Sequence, residues 1–227
     1  MAKPLLPHQR HLLWASVISV LLLTNWPGRL LLLPITYLNT HLHELGHALA
    51  AWGTGGRPFH IKVFADGSGV TPIGGGILPI VAASGYLGAA FLGGWIILSS
   101  RREQGARRVM LALAGVLALS MVVLVRGDLV GIVSGVFWVG LLWAGSRYLR
   151  SDHAIFAGQF LGVQQGLAAL GSLVDLLWLS SYRATPTDAK IMERATGLPA
   201  IFWAVLWMIF ALAITGITLR KAWRPTA

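Results

Sequence analysis

Cysteine is absent from this 227-residue chain. Its absence excludes disulfides and thiolate metal sites, leaving histidine and carboxylate as the strong metal ligands. Charge is nearly as scarce. Charged residues make up 11% of the sequence and hydrophobic residues 56%, whereas a soluble domain carries about 25% charge. The charges fall in short clumps between long apolar runs, the signature of a membrane protein. Acidic residues are the rarest, with 8 Asp and Glu against 18 Lys and Arg and a net charge of +10. Such an excess can mark a nucleic-acid binder. Here, however, the basic residues sit at the ends of apolar stretches: Arg101, Arg102, Arg107 and Arg108; Arg147 and Arg150; Arg220, Lys221 and Arg224. That placement suits the lipid bilayer and its headgroups and argues against nucleic acid. The first apolar run has no small-residue cleavage motif before Asn25-Trp26-Pro27, so it reads as a retained span.

A transmembrane helix needs about 20 apolar residues. By that measure the spans are Leu12–Asn25 (short), Arg29–Trp52, Gly74–Ser99, Val109–Val125, Leu129–Ala144, Ala154–Leu179 and Leu198–Leu219. The expected fold is an all-α polytopic membrane protein, a bundle of about six to seven transmembrane helices in a single domain over residues 1–227. The third span is rich in small residues, with Gly85, Ala89 and Gly93 at spacing four. This pattern lets helices approach closely in lipid. After Trp52, the β-branched and aromatic residues of Phe59–Phe64 and Val70-Thr71 flank an Asp66-Gly67 turn, which reads as a short β-hairpin. Further on, Thr185 with Asp188 resembles a capping box, Pro186 suits a first helical position and Gly197 a stop, so a short surface helix is expected.

The most informative stretch is His41-Leu-His43-Glu44-Leu-Gly-His47. His-Glu-x-x-His here lies inside an otherwise apolar helix. Residues four apart share a helix face, so His43 and His47 can offer imidazoles to one metal ion. Glu44 lies close enough to take a proton from a metal-activated water. His41 is about 200° round the helix from His43 and reads as a packing or supporting residue. Two histidines fill half a tetrahedral shell, so a third protein ligand is required. Outside the second span, Asp175 is the one Asp, Glu or His in the expected spans, and elimination points to it. Asp128, Asp188 and His60 remain alternatives: Asp128 is placed to pair with Arg126, Asp188 to cap a helix, and His60 lies in the hairpin. Gln159, Gln164 and Gln165 read as interhelical hydrogen-bonding groups.

The residues His43-Glu44-Leu-Gly-His47-Ala-Leu-Ala-Ala, the glycine-rich turn, Asp66-Gly-Ser-Gly-Val-Thr71 and the small-residue third span resemble the M50 site-2 protease family, most closely its M50B-like branch of small bacterial membrane proteins. The match is tightest over Thr40–Leu92 and weaker over Leu173–Trp207. The resemblance implies a Zn2+ cofactor held by His43, His47 and, further off, Asp175, with Glu44 as the catalytic base. It implies a zinc metalloendopeptidase of the bacterial cytoplasmic membrane that cleaves transmembrane protein substrates. The hairpin at Phe59–Thr71 could hold an unwound substrate segment by strand addition. Two other readings stay open: a catalytically inactive scaffold of the same fold, and a metal-binding transporter or sensor. With seven spans, the positive-inside rule places Arg101–Arg108, Arg147–Arg150 and the C-terminus in the cytoplasm and the N-terminus outside.

Overall fold

The computed structural model describes residues 4–182 and 187–225. Eight helices are described: α1 (Pro7–Leu23), α2 (Trp26–Gly53), α3 (Leu78–Ser99), α4 (Glu103–Val123), α5 (Leu129–Tyr148), α6 (Ser151–Tyr182), α7 (Asp188–Thr196) and α8 (Ala200–Ala222). Four two-residue strands lie between α2 and α3: β1 (Arg57–Pro58), β2 (Lys62–Val63), β3 (Gly69–Val70) and β4 (Ile73–Gly74).

Helices α3, α4, α5, α6 and α8 are each long and apolar enough to cross a membrane. The chain is an integral, multi-pass membrane protein. Its outward faces carry large apolar side chains, with Val122 and Leu129 each 76% exposed. In water such a surface would aggregate; in hydrocarbon it is the matching one. The first two expected spans behave differently. α1 and α2 pass the same test together but are bent by 114° at their junction, so the described count is five spans, or six with the bent pair as one, rather than seven. The bend has a local cause. Asn25 caps α2 by accepting from the Gly28 amide at 2.7 Å, and Pro27 sits in the first turn, so a new helix starts where a continuous one would have run on.

α3 and α6 form the spine. A Cβ at Gly93 would lie 2.8–2.9 Å from the backbone of Gly166 and Gly162, so the backbones of α3 and α6 touch at this point. Around them, one core cluster joins Ala82, Tyr86 and Ala89 of α3 with Leu173 of α6, Met192 of α7 and Trp207 of α8. A second joins Leu38 and Leu42 of α2 with Met110 and Leu117 of α4 and Trp138 of α5. Gln159 donates to the Ile97 carbonyl at 3.0 Å and Gln164 to the Ser19 hydroxyl at 3.1 Å, as interhelical glutamines should. Gln165 is buried with no hydrogen-bond partner among the described residues.

The expected hairpin is present. β1 pairs antiparallel with β4 (Arg57 opposite Gly74) and β2 with β3 (Lys62 opposite Val70). The turn between β2 and β3 closes through Asp66, whose carboxylate accepts from the Ser68 amide at 2.9 Å and hydroxyl at 2.7 Å. These two bonds hold the Asp66 carboxyl below its ordinary pKa. The hairpin is fastened at both sides. Thr40 of α2 donates to the Gly67 carbonyl at 2.6 Å, and the Ile61 amide donates to the Leu124 carbonyl at 2.9 Å. Beyond Leu124, Asp128 does not pair with Arg126 among the described residues. Its carboxylate caps α5 by accepting from the Gly131 amide, while Arg126 donates to the carbonyls of Val122 and Val123.

Candidate metal centre

His43, Glu44 and His47 sit near the hairpin end of α2, where α3 crosses it. The crossing is tight because both helices carry glycine there. A Cβ at Gly46 would be 2.9 Å from the Ser84 carbonyl oxygen, and a Cβ at Gly85 would run into the Nε2 atoms of both His43 and His47. The small-residue pattern of the third span therefore serves the site as well as packing. With glycine at 85, a small space is left directly in front of the two imidazole nitrogens.

The two Nε2 atoms are 3.1 Å apart. His47 is oriented by its other ring nitrogen, Nδ1, which lies 2.7 Å from the Val81 carbonyl. A carbonyl only accepts, so Nδ1 carries the hydrogen and Nε2 of the neutral ring presents a lone pair. Asp188, at the first turn of α7, brings Oδ2 to 3.7 Å from His47 Nε2. Among the described residues, His43, His47 and Asp188 form the one group of three or more potential ligands whose donor atoms all lie within 4.8 Å of one another.

These distances suit a small tetrahedral divalent ion. Zinc takes nitrogen and oxygen ligands at about 2.0–2.2 Å, which puts neighbouring ligand atoms about 3.3 Å apart. The histidine pair is already near that separation, and Asp188 Oδ2 stands a few tenths of an ångström beyond it from His47. The donor set, two neutral imidazoles and a carboxylate, is one that zinc accepts at sites with an open fourth position.

The carboxylate that reaches the histidine pair is thus Asp188 and not Asp175. Asp175 lies on an exposed position of α6 and belongs to no such group among the described residues; neither do Asp128 and His60. Asp188 was passed over in the sequence because a capping role accounted for it. Thr185 and Pro186, which framed that expectation, lie outside the described residues. The cap observed is Thr187, whose hydroxyl accepts from the Lys190 amide at 3.2 Å. With Thr187 as the cap, the Asp188 side chain is free to face inward.

Glu44 is buried beside the pair. Its Oε2 accepts from the Thr71 hydroxyl at 2.6 Å, so the hairpin orients the carboxylate. Thr71 was not singled out in the sequence beyond its place in the hairpin, since only folding brings residue 71 onto residue 44. His41 points away, placing Nε2 3.1 Å from the Ser134 hydroxyl of α5. It is a packing residue between helices.

A family model described as Peptidase M50B-like matches residues 14–218. No curated protein and no solved structure matches the chain. The match runs from α1 to α8 and takes in all three potential ligands and Glu44, and on that extent the chain belongs to the Peptidase M50B-like family.

Proposed function

We propose that this protein is a zinc-dependent intramembrane endopeptidase of the site-2 type, hydrolysing peptide bonds in membrane-spanning proteins of a bacterial cytoplasmic membrane. One observation carries the reading. Two imidazole nitrogens 3.1 Å apart and a carboxylate oxygen 3.7 Å from one of them converge beside a buried glutamate in a multi-pass membrane protein. Ionisable groups placed in such a bundle are costly unless they are paired or functional.

His43, His47 and Asp188 would hold the metal. When bound, zinc supplies a Lewis acid that polarises a carbonyl and makes a water acidic near neutral pH. The rest of the chemistry falls to the protein. The Val81 carbonyl keeps His47 in the tautomer that presents Nε2. Thr71 holds Glu44 Oε2, leaving Oε1 to take a proton from the attacking water and return it to the leaving amide nitrogen. The close crossing of α2 and α3 helps bury His47, while His43 is half-buried. The hairpin offers extended backbone that reaches Glu44 through Thr71, suited to a substrate segment unwound from helix.

The test is direct. Purified wild type should carry about one zinc per chain and cleave a transmembrane substrate. Glu44→Gln should keep the metal and lose about 10²–10⁴-fold in rate, the usual contribution of a general base. Metal without cleavage in either protein would favour a metal-binding scaffold instead.

A further inference from the structure

Tyr86 follows Gly85 on α3 and is buried at the same site. Its hydroxyl donates to Asp188 Oδ2 at 3.1 Å, the same oxygen that approaches His47. Its ring stands edge-on to His43, with centroids 4.7 Å apart and planes at 88°. The opposite contact is a stack on Trp207 of α8, with centroids 5.4 Å apart and planes at 21°. The ring also stands edge-on to His47, with centroids 6.3 Å apart, so one phenol meets all three potential ligands and is itself gripped by α8.

Asp188 needs such a partner. It is carried by α7, a nine-residue helix that does not belong to the membrane-spanning set. His43 and His47 are one turn apart on a single long helix, so their relation to each other is fixed by backbone. The relation of Asp188 to them is not. It depends on how α7 docks and on which way the carboxylate is turned. Oδ2 accepts from no other described residue's hydrogen-bond donor, and Tyr86 supplies that one bond. Metal ligands are held in register by such outer contacts, and a hydrogen bond to a carboxylate is stronger than one between neutral groups.

We infer that Tyr86 is the positioning residue for the third metal ligand: it locks the Asp188 carboxylate, and with it the start of α7, onto the histidine pair. Its hydroxyl fixes the direction of the carboxylate, and Trp207 fixes the phenol. This inference rests on the metal-centre reading above.

The experiment is a Co2+ titration of the purified, metal-stripped full chain, following the visible absorption bands, with the thermal midpoint of the metal-free protein measured alongside. Tyr86→Phe keeps the ring, its stack and its edge contact and removes only the hydroxyl. It should weaken Co2+ binding by about 10- to 100-fold, the usual loss when an outer partner of a ligand is removed. It should also alter the visible bands while leaving the metal-free midpoint near that of wild type. Trp207→Leu, which keeps the hydroxyl but loosens the ring, should weaken binding less. A residue with only a packing role would do the reverse, lowering the metal-free midpoint and sparing affinity and spectrum. Asp188→Ala and His47→Ala serve as references. If both lose binding and Tyr86→Phe binds like wild type, the role of Tyr86 is disproved and the metal centre stands. If His47→Ala or Asp188→Ala binds like wild type, the metal centre itself is misassigned and Tyr86 falls with it.

Discussion

Gly85 is the residue on which the site turns, because it is defined by what it lacks. Any side chain there would start in the space that both imidazole Nε2 atoms face. Gly85→Ala is a loss of metal site by occupation, not by removal of a ligand. The expected outcome is a well-folded protein, since alanine is a better helix former than glycine, with zinc content reduced to a small fraction of wild type and no cleavage. Metal analysis together with a thermal melt checks it; full zinc occupancy in the variant would show that the ion sits elsewhere. At this scale the sequence was informative for His43, Glu44 and His47, because their relation is set by helix pitch alone. It was silent on Tyr86 and Thr71. Nothing local marks a tyrosine or a threonine as the partner of a carboxylate that folding brings from another element.

Among the elements, α7 decides how the site is completed. Thr187 caps its start, and Gly197 ends it with φ +76°, a left-handed conformation that glycine adopts without strain. Its last turn is tied to α8. Glu193 accepts from Lys190 at 2.9 Å and from the Ala200 amide at 2.6 Å, so one carboxylate closes α7 and caps the next helix. These bonds, the Lys190 ammonium first and the Ala200 amide second, hold the Glu193 carboxyl below its ordinary pKa. The folded value is depressed, so the stabilisation is fully present above the ordinary glutamate range and is lost as pH falls through the lowered value. Glu193→Gln should therefore melt earlier than wild type at neutral pH, and the gap should close as the pH is taken below about 4. A gap that persists unchanged in acid would mean that the carboxylate charge is not what joins the two helices. The sequence placed a short helix here and placed its stop at Gly197. It also offered three acids, Asp175, Asp128 and Asp188, and a histidine, His60, for one role. Asp175 was favoured because an aspartate inside an apolar run demands a partner, yet on the folded helix it is exposed, and it is Asp188 that lies with the histidine pair.

For the molecule as a whole, the bend between α1 and α2 settles how the ends are arranged. Gln9 donates to the Trp223 carbonyl at 2.6 Å, and His11 lies 3.8 Å from Asp152. Arg101, at the end of α3, donates to the Arg224 carbonyl. The start of α1 and the end of α8 thus share one end of the bundle, whereas seven spans would have put them on opposite sides. The hairpin lies at the other end of α3, where the Ile77 amide donates to Thr54 at 3.0 Å. The absence of native cysteine makes this arrangement simple to test. Single cysteines at Arg10 and at Arg224 should be labelled by an impermeant thiol reagent from the same side of sealed vesicles, and one at Asp66 from the opposite side. The positive-inside rule predicts that the end bearing Arg101, Arg102, Arg220 and Lys221 faces the cytoplasm. Labelling of positions 10 and 224 from opposite faces would overturn the topology.

Composition and periodicity by themselves determined that this chain is a helical membrane protein, that it carries a hairpin after its second helix, and that His43 and His47 share one helix face. Those properties are local: a run of apolar residues, an Asp-Gly turn and a spacing of four each have one physical solution wherever they occur. Tertiary structure alone decided that Asp188 lies with the histidine pair, that Tyr86 and Thr71 each donate a hydrogen bond to one of the two carboxylates, and that the first apolar segments form a bent pair. These depend on distances between elements far apart in the chain. Only the packed positions of α2, α3, α7 and the hairpin set those distances.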